Sequence, residues 1–317
     1  MSKLVYSEEY LDTGAPQYLL HIPAAEPAPV LLFVHGGPGF SQSFLGYWLK
    51  KWWKEMVTLV FWDQRGCGKS LAASAKPVTY PITVDDVKRD MKAVVDHLKQ
   101  RYNTQKIVVM GHSWGSVLGS LYALEHPEDL LLYIGVGQAI EMHENERRAW
   151  EALRENILEA GNTKDLAALP AFESIEYLPH LDEPQPNLEA FMRLRYKYRM
   201  LVKLGPSEIL LFMRNPAFRF SDFSFFKKSV ERLRWGLIDY LRVFDLQACG
   251  HTYQVPIAYL LGADDTQVST SLAVEYFEQI QAPRKLLRVI PNAKHNTMYD
   301  APQPFTDALR EALDLIE

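Results

Sequence analysis

The chain has 317 residues, 48% of them hydrophobic and 23% charged, with a formal net charge of -5. That acidic balance speaks against nucleic acid as the main partner, no apolar run approaches the ~18 residues of a membrane span, and two distant cysteines, Cys67 and Cys249, make neither a disulfide framework nor a metal site. Residues 1–9 carry no apolar stretch of the signal-peptide kind, so a cytoplasmic protein is the expectation.

In chain order, residues 4–10 and 17–22 read as two strands around the turn Asp12-Thr13-Gly14, and the Pro-rich residues 23–29 as a surface connection. Val30-Leu31-Leu32-Phe33-Val34 is the continuous apolar run of a strand buried on both faces. It ends in His35-Gly36-Gly37-Pro38-Gly39, a stretch that cannot be helix or strand and must bend backbone close to something. Thr58-Leu59-Val60-Phe61-Trp62 is the next strand, followed by Asp63-Gln64-Arg65-Gly66-Cys67-Gly68-Lys69-Ser70. The last three residues imitate a phosphate loop, but Asp63 stands where its first glycine belongs and no helix pattern follows directly. Nucleotide binding is therefore not expected. Asp63 and Arg65 are expected to pin this loop, and Cys67 within it to confer sensitivity to thiol reagents.

Thr83 opens a helix to about Tyr102, with Asp85 and Asp86 in the first turn, where the helix dipole favours them. The strand Lys106-Ile107-Val108-Val109-Met110 then runs into Gly111-His112-Ser113-Trp114-Gly115, and a helical pattern starts at once and lasts to about His126. Strand, sharp turn and helix around Gly-x-Ser-x-Gly form the context of a nucleophile elbow, in which the turn lifts the Ser113 hydroxyl clear of the sheet. A Cβ at Gly111 or Gly115 is expected to collide with the adjoining strand or helix. In elbow enzymes one oxyanion donor is the N–H after the nucleophile and the other comes from a glycine-rich loop after an early strand, which points to Trp114 and, by loop position, Gly37. His35 is expected to brace that loop. Leu131 to Val136 is the next strand, and the alternation of strands and helices implies a mostly parallel sheet with helices on both faces.

Three motifs in this order, His35-Gly36-Gly37-Pro38-Gly39, Asp63-Gln64-Arg65-Gly66-x-Gly68-Lys69-Ser70 and Gly111-His112-Ser113-Trp114-Gly115-Ser116, resemble the proline iminopeptidase family of α/β-hydrolases. They cover about residues 30–136. The resemblance implies an α/β-hydrolase fold and release of an N-terminal proline from small peptides or amides, with cap carboxylates holding the substrate's protonated amine. His112 departs from it, because those peptidases usually carry glycine there.

From about Ile140 to Asp245 the alternation gives way to helical segments and proline breaks, so residues 140–245 read as an inserted helical cap on a core of residues 1–139 and 246–317. Residues 140–190 hold 12 acidic and 4 basic side chains, and residues 191–245 hold 5 acidic and 12 basic ones, which suits two cap halves packed on each other through opposite charge. Glu141, Glu144, Glu146, Glu151, Glu173 and Glu176 are the carboxylates on offer to an amine, but none matches a family motif. Phe218, Phe220, Phe223 and Phe225 could line an apolar pocket or form cap core.

Strands return at Ile257 to Leu261 and Lys285 to Ile290, with a helix from about Ser269 between them and a last helix from Gln303. His295 follows the last strand, where the carboxyl ends of parallel strands converge, and is the expected base. Asp264 and Asp265 both qualify by location as the acid that orients it; the family pattern, three residues after Gly262, selects Asp265. The order Ser, Asp, His is that of the α/β-hydrolases. The expected chemistry is acyl transfer to Ser113 with no metal or organic cofactor, on a small-molecule or short-peptide substrate. A carboxylesterase or lactonase would use the same groups, and a small-molecule receptor built on the fold is the non-enzymatic alternative.

Overall fold

The apolar runs of the sequence meet in one sheet. The computed structural model describes residues 6–74, 81–175, 185–201, 206–219, 222 and 234–316. Strands β1 (Ser7–Asp12) and β2 (Pro16–Ile22) form an antiparallel hairpin with Asp12 opposite Pro16. Six more strands follow: β3 (Val30–Val34), β4 (Thr58–Asp63), β5 (Ile107–His112), β6 (Leu130–Val136), β7 (Ile257–Gly262) and β8 (Lys285–Ile290). The sheet has eight strands in the order β1-β2-β4-β3-β5-β6-β7-β8. Strand β2 pairs antiparallel with β1 and β4, and every other neighbouring pair is parallel.

Helices α1 (Gly46–Trp53), α2 (Gly68–Ala73), α3 (Val84–Arg101) and α4 (Trp114–Glu125) connect the strands up to β6. Helix α3 starts as the sequence predicts: the Thr83 hydroxyl accepts from Asp86 N at 3.2 Å and Asp86 Oδ2 accepts from Thr83 N at 2.9 Å, a capping box. The absence of a helix after Gly68-Lys69-Ser70 was a wrong expectation, since α2 begins at Gly68. Its six residues are too few to show a hydrophobic period.

Between β6 and β7 the described residues form helices α5 (Met142–Glu159), α6 (Thr163–Ala168), α7 (Pro186–Lys197) and α8 (Pro206–Arg214), then short turns at Asp239–Arg242 and Leu246–Cys249. The two ends of this segment meet, because Met142 N donates to Phe244 O at 3.0 Å and Leu246 N to Ile140 O at 2.8 Å. It has a small core of its own, including Leu153, Ile157, Phe191 and Leu194. Its acidic and basic halves are joined by Arg195 on Glu146 at 2.8 Å and Lys197 on Asp165 at 2.6 Å. Phe218 lies edge-on to Phe212, which stacks on Phe44 at 3.5 Å, so these rings fill space between the segment and the sheet side. Phe220, Phe223, Phe225 and Glu176 lie outside the described residues.

Helix α9 (Thr270–Gln279), capped by the Ser269 hydroxyl, links β7 to β8, and α10 (Pro302–Leu313) closes the chain. Alternation along β3 divides the core: Leu32 and Val34 pack with residues of α3, α4 and α9, whereas Leu31 and Phe33 pack with residues of α1 and α10. Each fully buried side chain of this size contributes about 1.5–3 kcal/mol, so covering both faces holds the elbow strand rigidly. Among the described residues no helix is long and apolar enough to cross a membrane.

Candidate active site

Strand β5 ends in a residue whose backbone is forced. Ser113 has φ 55° and ψ -121°, a conformation a side-chain-bearing residue rarely adopts. The two flanking glycines make it possible. A Cβ on Gly111 would lie 2.4 Å from Gly115 O, and one on Gly115 would lie 2.0 Å from Val34 O. Strand β5, helix α4 and strand β3 therefore approach more closely than any other residue permits. Ser113 N donates to Val136 O at 3.0 Å, which ties the turn to the end of β6.

The loop after β3 lies directly against this turn, since a Cβ on Gly36 would sit 3.1 Å from Ser113 Cβ. Gly37 has φ 119° and precedes a cis peptide bond to Pro38; a Cβ there would come within 2.5 Å of Gly39 N. His35 braces the loop as expected. Its Nδ1 donates to Gly36 O at 2.8 Å and its Nε2 accepts from Gln64 N at 3.1 Å; burial pushes this imidazole down to about 4, so it stays neutral. Among the described residues neither the Gly37 N–H nor the Trp114 N–H is engaged by a protein acceptor, and the latter opens helix α4, where the dipole favours negative charge.

His295 reaches the same place from the loop after β8. A Cβ on Gly137, the residue after the acceptor of Ser113 N–H, would lie 3.0 Å from His295 Cε1, so the imidazole rests on the backbone that anchors the serine. His295 Nδ1 is 2.8 Å from Asp265 Oδ2. A carboxylate only accepts, so Nδ1 carries the proton and Nε2 presents a lone pair. Asp265 Oδ1 accepts from Gln267 N and Val268 N, both at 2.9 Å, so the carboxylate is held on two sides. Asp264 is exposed. Among the described residues no hydrogen bond joins the Ser113 hydroxyl to His295; in free enzymes such contacts are commonly long and close with substrate.

His112, which departs from the family pattern and adjoins the nucleophile in sequence, lies between the two loops. Its ring centroid lies 4.9 Å from that of His295, its Nε2 is 3.0 Å from His295 O, and its Nδ1 is 3.1 Å from Gln42 Oε1; the neutral ring has one N–H and donates to one of these two oxygens. Gln42 also receives Gly36 N at 3.0 Å. Burial, and then the neighbouring His295, push the His112 imidazole down to about 3. Gln42, Gln64, which accepts from Trp114 Nε1 at 3.0 Å, and Ser116, which bridges Ser113 O and Ala139 N, are buried polar residues that the sequence reading missed.

The loop after β4 is pinned as expected. Asp63 is buried, accepts from the Ser41 hydroxyl and from Lys69 N at 2.9 Å, and burial pushes its carboxyl up. Arg65 makes a bidentate pair with Asp90 of α3, both bonds at 2.7 Å. Lys69 is taken by Glu8 and the Ala217 carbonyl, so it is no phosphate-binding lysine. The expectation for Cys67 fails, because this thiol is 1% exposed and burial pushes it well up, away from the reactive thiolate. A maleimide reagent is therefore expected to label the exposed Cys249 and leave Cys67 intact in the folded protein, with catalysis unchanged; a mass spectrum showing Cys67 labelled at the rate of Cys249 contradicts this. Among the described residues one group with metal-ligand spacing occurs, His126, Glu128 and Asp129, but the Asp129 carboxylate is already held by Lys99 and by Tyr122 at 2.6 Å.

Residues 29–302 match the α/β-hydrolase fold family, and the chain belongs to it. Within the family it is similar to proline iminopeptidases. A protein of Bacillus subtilis (strain 168) described as Probable aminopeptidase YbaC is 26% identical over 293 residues, covering 89% of this chain and 87% of its own. The proline iminopeptidase of Saccharolobus solfataricus is 22% identical over 307 residues, covering 90% and 85%. The crystal structure of proline iminopeptidase from Mycobacterium smegmatis superposes with a TM-score of 0.72 at 18% identity, over 98% of both chains, which extends the likeness of fold across the helical segment.

Proposed function

We propose that this hydrolase works through Ser113 as nucleophile, His295 as base and Asp265 as the acid that orients His295, with the Gly37 and Trp114 N–H groups receiving the oxyanion and residues 140–245 capping the site. The observation that carries the reading is the buried His295–Asp265 hydrogen bond of 2.8 Å resting on the backbone that anchors the strained Ser113. In that arrangement His295 Nε2 takes the Ser113 proton as the hydroxyl attacks a carbonyl carbon. Asp265 stabilises the imidazolium that forms, and the proton passes to the leaving group. Water then repeats the sequence in reverse on the acyl-enzyme. Each oxyanion donor in such a site is worth on the order of 10²-fold in turnover.

The relatives' names favour an aminopeptidase that releases an N-terminal proline. One observation keeps esters or lactones as a second reading. Of the cap carboxylates open to an amine, Glu141 caps α5, Glu144 is held by Arg147 and Arg148, Glu146 by Arg195 and Glu151 by Arg147. An ammonium group entering an apolar site requires an unspent carboxylate; these four are spent, Glu173 is exposed, and Glu176 lies outside the described residues. The deciding comparison is kcat/KM for proline β-naphthylamide beside p-nitrophenyl acetate. The aminopeptidase reading expects the amide to be turned over and a free proline N-terminus to be required. Ester hydrolysis with an inert amide selects the second reading.

A further inference from the structure

The loop that carries Asp265 is gripped from outside the core. Asn145 of α5 is 2% exposed, and both ends of its amide are spent on this loop: Nδ2 donates to Gln267 O at 3.2 Å and Oδ1 accepts from Ser269 N at 2.7 Å. Arg195 of α7 is equally buried, and its guanidinium divides between Glu146, at 2.8 Å, and the Thr266 carbonyl, at 3.3 Å. A third tie runs from the Thr266 hydroxyl to Met200 O at 3.1 Å. Thr266 and Gln267 are the two residues that follow Asp265, and Gln267 N is one of the two donors that hold its carboxylate.

Burying an amide or a guanidinium is costly unless every polar atom is partnered, and Arg195 Nε has no partner. An apolar side chain would pack α5 and α7 onto the core at lower cost. These residues are spent instead on fixing the backbone around one carboxylate.

We propose that Asn145 and Arg195 are positioning residues through which the helical segment between β6 and β7 sets the geometry of the Asp265–His295 pair. The inference rests on the catalytic reading of that pair given above. Displacing α5 or α7 moves the Thr266 and Gln267 backbone, and with it Asp265 Oδ2 away from His295 Nδ1. Both side chains are buried and directed at the loop, so the damage is expected to fall on turnover and leave substrate binding alone.

The test measures p-nitrophenyl acetate hydrolysis per serine titrated by a fluorophosphonate, together with the downfield proton resonance of His295 Nδ1–H. Asn145→Ala is expected to lower kcat per titrated site about tenfold with KM within about twofold, and to move or broaden that resonance. Arg195→Lys, which keeps the charge on Glu146 but cannot span to Thr266, is expected to act in the same direction. Arg148→Ala removes a surface tie to Ser271 and Glu275 without touching residues 263–269, and is expected to leave both readouts at the wild-type value. If Asn145→Ala lowers only the melting temperature, with kcat per site and resonance unchanged, the proposal is overturned while the triad reading stands. If the fluorophosphonate does not label Ser113 in the wild type, the triad reading itself falls, and the proposal falls with it.

Discussion

Alanine at Ser113 is expected to lower p-nitrophenyl acetate hydrolysis by about 10⁴-fold or more while the protein stays folded, and alanine at His295 is expected to do the same. The size of the effect follows from how the groups divide the work. On the proposed mechanism, no acyl-enzyme forms without the hydroxyl, and the hydroxyl keeps its proton without the imidazole. What that mechanism leaves in either variant is carbonyl polarisation by the two backbone N–H groups. The fold tolerates both changes for separate reasons. Ser113→Ala keeps the backbone conformation and the bond to Val136 O, and adds no volume beside Gly36. His295→Ala removes one partner of Asp265, but the carboxylate retains Gln267 N and Val268 N. Circular dichroism and a melting temperature within a few degrees of wild type would establish that loss of activity is loss of chemistry. Either variant retaining more than about one per cent of wild-type turnover would refute the assignment of that side chain.

Strands and the helices that continue them were legible because their signals are local. The run Val30–Val34 and the strand Lys285–Ile290 have the bounds their apolar content predicts, and Thr83 with Asp86 marks the start of α3 unaided. Helix α1 was not legible. Its N-cap, Leu45, offers no side-chain bond, and four of its eight residues are aromatic; it forms because Trp53 stacks on Phe305 at 5.6 Å and Trp48 on Tyr299 at 4.9 Å, contacts more than 200 residues away in sequence. The site divides along the same line. Ser113 and its glycines are written in five consecutive residues, and Asp265 and His295 could be placed by chain order. The residues around them, His112, Gln42, Asn145 and Arg195, reach the loops of the site through scattered polar contacts spanning 70 to 183 residues and leave no pattern to count. Asp264 and Asp265 are chemically identical neighbours; the residues alone leave both open, the family pattern selects Asp265, and in the structure Asp265 is buried against His295 while Asp264 is exposed.

The second large effect concerns Gly115→Ala, one methyl group placed where the elbow is tightest. The new Cβ would lie 2.0 Å from Val34 O and 2.6 Å from Val34 C, and both are backbone atoms of a strand paired on both edges. No rotamer relieves a clash with main chain, so either β3 slides in the sheet or α4 lifts away from it. Sliding β3 breaks its ladders with β4 and β5; lifting α4 pulls Trp114 N–H and Ser113 off the Gly36–Gly37 loop. Gly115 has no positive φ, so the cost is steric alone. A change of this kind belongs with the exceptional destabilisations of about 4 kcal/mol or more, and the melting temperature is expected to fall by about 10 °C with hydrolysis lost even in protein that remains folded. Gly161→Ala supplies the contrast, because that glycine has φ 61° but nothing within 4 Å of its Cβ, and its replacement should cost only about 1 kcal/mol. If the two variants melt together, close approach of β3 and α4 is not what holds Ser113 in its strained turn, and the elbow owes its shape to β5 and β6 alone.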